Sequence, residues 1–319
     1  MLTLVARVSS LRRVHPPFYV LALLCLLLTA FFVVGIVLDP RYLTGAPLWL
    51  KPAKFAFSIA VYSLSMLWML SFLEGRHGFV RFAGWWMLGV VVLELGVIAF
   101  QAARGLTSHF NFSDTTNALL FASMGMAISS LWLLHLVVTV LVLRQKLENP
   151  VLALSLRLGM VLTLLGLAEA FLMVLPTAGQ MADLHAGGAL RVIGAHSVGV
   201  PDGGAGLPVV GWSTQGGDLR IGHFIGIHAL QVLPLLGWLL AFLPAFGNLL
   251  ERQKVRLLWL VALGYLGVML LVTLQALRGQ SIVAPDTLTL ALGGSLVILM
   301  VGAALWVLRG ARESLTRTV

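Results

Sequence analysis

Residues 18–38 read FYVLALLCLLLTAFFVVGIVL, with no charged side chain among them. An uncharged apolar run of about 18 residues or more is long enough to cross the hydrocarbon core of a bilayer as a helix. The basic stretch ahead of it, with Arg7, Arg12 and Arg13, resembles a signal-peptide start. The run is too long for that and lacks an obvious small-residue cleavage site, so it reads as an uncleaved anchor.

Seven more blocks of the same kind follow, over residues 55–73, 82–102, 117–143, 151–175, 223–246, 257–277 and 287–308. The whole chain of 319 residues is 59% hydrophobic and 10% charged, whereas a soluble domain is roughly a quarter charged. So few charges cannot cover a water-soluble surface. The predicted fold is an all-α membrane protein, a bundle of about eight transmembrane helices.

The net charge of +9 suggests nucleic acid only until the charges are placed on the loops. With the N-terminus inside, 14 of the 21 basic residues fall on inner segments, among them Arg7, Arg12, Arg13, Arg76, Arg81, Arg144, Lys146, Arg157 and Arg317. This bias sets orientation and predicts both termini in the cytoplasm. The acidic residues divide four inside (Glu74, Glu148, Glu251, Glu313) and eight outside, leaving the outer face charge-balanced. The basicity is therefore topology, and no nucleic-acid partner is expected. The single cysteine, Cys25, lies in the first block and can form no intrachain disulfide.

Comparison of the two halves suggests a duplication. The third block ends Gln101-Ala102-Ala103-Arg104-Gly105 and the seventh ends Gln275-Ala276-Leu277-Arg278-Gly279, an offset of 174. LKPAKF at 50–55 answers LRIGHF at 219–224, setting Lys51 against Arg220 and Lys54 against His223 at an offset of 169. Asp114 precedes the fourth block as Asp286 precedes the eighth. Offsets that drift slightly but stay in order fit two tandem parallel four-helix repeats, 1–150 and 151–319, the second carrying a long outer loop at 176–222.

The unusual residues gather at the outer side. Lys51, Lys54, Arg220 and His223 sit at helix starts, where the macrodipole disfavours cations and where the outer side is poor in them. Snorkelling to the interface, or pairing with Glu94, Glu169 or Asp218, is the plainer explanation. Glu94 lies inside the third block, where a carboxylate is costly and turns toward a partner or cavity. Gln101 and Arg104 continue its helical stripe, although an arginine followed by glycine is also an ordinary helix cap. His109 and Asn111 lie in the loop Gly105-Leu106-Thr107-Ser108-His109-Phe110-Asn111-Phe112. His109 suits a metal or haem ligand, a proton carrier, or an interfacial residue bonded to the backbone.

The start of the sixth block and the residues just ahead of it bring Asp218, Arg220, His223, His228 and Gln231 close together in sequence. His223 and His228 are about 140° apart around a helix, so they do not share one metal ion, whereas His228 and Gln231 share a face. Pro234 breaks the helical ladder and points to a kink beside a cavity. The glycine-rich outer loop, with Val200-Pro201-Asp202-Gly203-Gly204, suits a lid, and its His185 and His196 are weaker candidates. His135, Arg157 and His77 read as packing or interface residues. No Gly-rich phosphate loop, Cys-x-x-Cys pair, His-Glu-x-x-His or Gly-x-Ser-x-Gly occurs, and the last two blocks lack lysine, against a retinal protein.

The strings KPAKF, RGLTSHFN and GGDLRIGHFIGIHALQVLP resemble those of uncharacterised bacterial multi-pass inner-membrane proteins. That resemblance implies a bacterial inner-membrane location and brings no activity with it.

From the residues, the leading expectation is a transporter or binding protein with an outward-facing polar cavity between the repeats. Lys51, Lys54, Glu94, Gln101, Arg104, His109, Asn111, Asp218, Arg220, His223, His228 and Gln231 would form it. The basic members would hold a small anionic group or a lipid head group, and Glu94 or His228 would handle a proton. The alternatives are a redox protein binding haem b or a quinone through His109, His223 or His228, and a metal-dependent hydrolase using His109, Asp218 and one sixth-block histidine. Partners would be the lipid bilayer and a small anion.

Overall fold

Two prolines open the first helix, α1 (Pro16–Leu38), where a missing backbone N–H leaves nothing unsatisfied. It ends ahead of Asp39-Pro40, because a residue preceding proline is pushed out of the helical region. This is the computed structural model of the chain, which describes residues 16–72, 75 and 77–316. Arg7, Arg12, Arg13, Glu74, Arg76 and Arg317 of the charge argument lie outside the described residues.

After α1 the chain reverses through an antiparallel hairpin, β1 (Tyr42–Leu43) and β2 (Ala46–Pro47), with Leu43 opposite Ala46. Thr44 and Gly45 form its loop with φ of 47° and 75°. Two left-handed residues in succession make the turn whose twist matches that of the strands it joins. Arg41 pairs with Asp39 and donates to the Ala103 carbonyl at 3.0 Å, while Trp49 Nε1 donates to Asp39 at 2.9 Å. These two partners, Arg41 first, hold the Asp39 carboxyl well below the usual carboxylate range.

The long helices that follow are α2 (Leu50–Leu70), α3 (His77–Ala103), α4 (Thr115–Arg144) and α5 (Pro150–Ala168), then the single turn α6 (Ala170–Met173). Asn149 caps α5 by accepting from the Leu152 amide, with Pro150 at the first helical position. The segment expected as a long outer loop holds α7 (Ala178–His185), started by a reciprocal Thr177–Gln180 capping box. It also holds β3 (Ser197–Val198) and β4 (Gly217–Asp218), paired antiparallel with Ser197 opposite Asp218. Then come α8 (Arg220–Phe242), α9 (Glu251–Leu277) and α10 (Thr287–Thr316). Among the described residues, eight helices are long and apolar enough to cross a membrane. They fit a multi-pass membrane protein, mostly helical and without a soluble domain's charged surface.

The chain divides into two compact units. One holds the described residues up to Leu136 together with 173–195 and 201–211; the other holds 137–172, 196–200 and everything from Trp212 onward. In the first, α1 lies along α2 and α3 packs against both. Val97 and Ile98 of α3 meet Met124 of α4, with Phe55 and Leu120 around them. Hydrophobic burial drives none of this within lipid, so close packing and hydrogen bonds carry the load.

In the second unit α5 packs along α8, and α9 packs against both and against α10. The α5–α8 contact is backbone on backbone: a side-chain carbon added at Gly166 would collide with the main chain of Gly226. One added at Gly159 would meet the Pro234 ring at 3.0 Å. Pro234 is thus buried against a glycine on the neighbouring helix. Small residues at helix crossings of this kind are how membrane helices gain contact area.

Candidate functional site

Glu94 lies on α3 about nine residues before its end, hence roughly 13 Å along the helix from that end. It is 3% exposed, and its Oε2 has no hydrogen-bond partner. A buried carboxylate oxygen without a donor forfeits its hydration and calls for a partner, a proton or a ligand. The nearest basic groups come from two other places in the first unit. His109 Nε2 stands 3.8 Å from Glu94 Oε1, and His109 Nδ1 stands 3.1 Å from Lys51 Nζ on the first turn of α2.

The lysine decides the histidine's tautomer. An ammonium only donates, so Nδ1 of His109 accepts and the ring proton sits on Nε2, directed at Glu94. Ser108 Oγ lies 3.0 Å from the same Nδ1. Phe55, Phe110 and Phe121 surround the imidazole with ring centroids 5.7, 6.1 and 6.0 Å away. Lys51, His109 and Glu94 are therefore a row of three titratable groups in an aromatic sleeve, with the carboxylate innermost. At 3.8 Å the last link is longer than a hydrogen bond and closes with a small shift or one water.

Loop geometry holds His109 in place. Gly105 takes φ of 71° and Phe110 φ of 61°, left-handed conformations that turn the chain after α3. Asn111 Nδ2 donates to the Thr107 carbonyl at 3.0 Å, and Phe110 and Phe112 bond through their main chains to Ile193 and Arg191. Asn111 thus shapes the loop. Lys54, one turn beyond Lys51, donates to the Val210 carbonyl at 3.0 Å.

Gln101 and Arg104 belong to a neighbouring polar network. Gln101 Nε2 donates to Asn117 Oδ1 at 2.7 Å and Arg104 donates to Gln101 Oε1 at 2.8 Å, while Asp114 caps α4 through the Asn117 amide at 2.9 Å. The second unit shares several features of this corner. Gln101 and Gln275 each reach the carbonyl six residues on, at 3.4 and 2.8 Å. Arg104 and Arg278 each reach the third residue of the next helix, Asn117 or Thr289, and Gly105 and Gly279 share φ of 71° and 70°. Arg278 also pairs with Asp286, which caps α10 through the Thr289 amide at 2.8 Å.

The remaining candidates stand in the second unit. Asp218 is 1% exposed; it takes both a side-chain and a main-chain bond from Arg220 and caps the Ser213 amide at 2.8 Å. This pair fixes the strand-to-helix corner at the start of α8. His223 Nδ1 bonds the Gly166 carbonyl at 2.7 Å, and His228 Nδ1 bonds the Phe224 carbonyl at 2.8 Å. Both bonds need the proton on Nδ1, so both rings present a basic Nε2. The His228 ring lies 4.0 Å from that of Phe224, and Gln231 follows one turn beyond His228 on α8.

Three residues outside the candidate list matter. Glu169 caps α5 and is 8% exposed; its Oε1 accepts from Thr273 Oγ1 at 2.7 Å and its Oε2 has no partner. Gly222 in the first turn of α8 leaves room for this carboxylate, since an added side-chain carbon would collide with Glu169 and Thr273. The signal for Glu169 was the same as for Glu94, an acid inside an apolar run. Among the described residues, no three or more His, Cys, Asp or Glu side chains are grouped to hold a metal ion. In comparisons with known proteins, no family model, no curated protein and no solved structure matches this chain.

Proposed function

We propose that the chain is a proton-handling membrane transporter or binding protein, with Lys51, His109 and Glu94 at the centre of its site. The observation that carries this reading is the buried Glu94 oxygen without a partner beside a lysine–histidine pair. Lys51 attracts a small carboxylate or phosphate, Lys54 lies one turn from it, and Glu94 accepts or releases the accompanying proton. Arg104, Arg220 and Asp218 serve this reading as the frame around the loop and helix starts, because each is held by protein partners. We further read 1–150 and 151–319 as tandem repeats, supported by the matching Gln–Arg–Gly corners. The charge distribution supports both termini in the cytoplasm of a bacterial inner membrane, with the hairpin ends of α2 and α8 outward.

Purified protein in liposomes filled with a pH-sensitive dye tests the reading. Under an inside-negative potiential set by potassium and valinomycin, protons should enter faster than into protein-free vesicles, and Glu94→Gln should abolish the excess. An undiminished rate in Glu94→Gln overturns it. For the anion, acetate or inorganic phosphate should raise the melting temperature of the wild type and leave that of Lys51→Met unchanged.

A second reading, a haem b or quinone protein, draws on His223 and His228, whose Nδ1–carbonyl bonds present Nε2 as ligating imidazoles do. It requires a Soret band that His228→Ala removes. A colourless preparation from haem-replete cells excludes the haem form.

A further inference from the structure

We propose that Tyr62 and His135 form a second proton station below Glu94, so that protons cross the first unit along one face of α2. The inference rests on the proton-handling reading above.

The distribution of ionisable groups narrows the path to a few residues. Helix α1 contains no Asp, Glu, Lys, Arg or His, and α2 contains none after Lys54. Between Arg81 and its end, α3 contains only Glu94, and before Arg144, α4 contains only His135. The interiors of these four apolar helices therefore hold one carboxylate and one imidazole. Groups of this kind are costly in an apolar span, and ion pathways and proton relays are built from them.

His135 is 3% exposed, and its Nδ1 lies 2.7 Å from the Tyr62 hydroxyl. On α2, Lys51, Ser58, Tyr62 and Ser65 recur at spacings of seven, four and three, which places them along one face. Lys51 begins that face beside His109, so the polar stripe starts at the site already described and runs away from it. The depths agree: Tyr62 is about 18 Å along α2 from the end where Glu94 is about 13 Å along α3. The Arg41 bond to Ala103 shows that the start of α2 and the end of α3 lie at one end of the unit. A step of roughly 5 Å along the axis is the length one bridging water or the Ser58 hydroxyl spans.

The transfer balances without redox chemistry. The Glu94 carboxyl gives its proton through water to the Tyr62 oxygen as Tyr62 gives its own to Nδ1 of His135, and the imidazolium releases a proton from Nε2 on the far side. Each step breaks one O–H or N–H bond and forms another, and no electrons move.

The same liposome assay with full-length protein tests this. His135→Gln keeps a polar partner for Tyr62 and carries no proton; Tyr62→Phe keeps the ring and removes the hydroxyl. Both should fold, Tyr62→Phe melting somewhat lower because the buried His135 Nδ1 loses its donor, and both should lose proton entry by about a hundredfold, the lower range for a positioned proton carrier. Wild-type entry should also slow in deuterium oxide. If both variants conduct like the wild type while Glu94→Gln is silent, the second station is wrong and the site above stands. If the wild type itself never exceeds protein-free vesicles, both fall. Should His135→Gln fail to fold, Tyr62→Phe decides alone.

Discussion

Glu94 is buried within α3 of the first unit and Glu169 at the C-terminal cap of α5 in the second, and the two are treated differently. Glu94 faces a lysine–histidine pair across a gap wider than a hydrogen bond. Glu169 is gripped by a threonine hydroxyl and set against the first turn of α8, where Gly222 makes room for it. That turn carries the positive end of the helix macrodipole and favours a nearby anion. One acid stands next to a histidine and a lysine; the other is fastened to a hydroxyl and a helix end. Burial and an orphaned oxygen are common to both acids, so on the proposed reading they do not by themselves separate a working group from a structural one. The neighbours do.

The largest expected effect tests whether the second unit is built around close contact. Gly166→Ala should lower stability by about 3 kcal/mol, the upper range for overpacking, read as a fall in melting temperature in detergent. Gly96→Ala, beside Glu94 on α3, meets nothing within 4 Å, and should be neutral or gain up to about 1 kcal/mol from helix propensity.

Next, Thr273→Val removes the donor that holds Glu169 and should cost about 1–3 kcal/mol, the penalty of a buried acceptor left unmatched. Thr163→Val in the same unit is the control: its buried hydroxyl has no partner, so the methyl should be neutral or stabilising. Equal losses from both would remove the distinction between a fastened acid and a merely buried one.

A third prediction is the absence of an effect. Glu169→Gln should leave proton entry into liposomes at the wild-type rate while Glu94→Gln eliminates it. If both are silent, the acids are equivalent stations and the contrast drawn here is wrong.

The smallest effect concerns the Arg278–Asp286 pair at the corner of the second unit. Arg278, and then the Thr289 amide, hold the Asp286 carboxyl well below the usual carboxylate range. A depressed carboxylate stabilises the fold above its ordinary titration near pH 4 and loses that contribution as the pH falls through its folded value. Melting temperatures of the wild type and Asp286→Asn should therefore differ slightly at pH 7 and converge toward pH 2. A gap that widens in acid would contradict the pairing.

The eight apolar helices were legible in the sequence because lipid leaves the backbone few choices, and uncharged runs such as 18–38 announce themselves. The third and seventh helix ends were legible as well, since glutamine, arginine and glycine form the same corner in each unit. The hairpins were not. Their strands are two residues long, below any periodicity, and Thr44 is no signal for a left-handed turn. Among the candidate residues, Lys51, Glu94 and His109 come together while Lys54, Asp218 and Arg220 are held by carbonyls or each other. Linear order shows that such groups lie at one end of the helices, and only side-chain direction shows which of them meet. The Tyr62–His135 bond escaped for the same reason, joining residues 73 positions apart.

The glycine crossing of α5 and α8 restricts how this protein can move. The Gly166 and Gly226 main chains touch and Gly159 is seated on Pro234, so at that crossing the two helices have no side-chain layer to slide over, although Leu162 and Val151 of α5 pack on Leu233 and Leu240 of α8 elsewhere. A motion that presses α5 closer to α8 there meets main chain at once, so a change of shape that keeps this contact carries the two helices together.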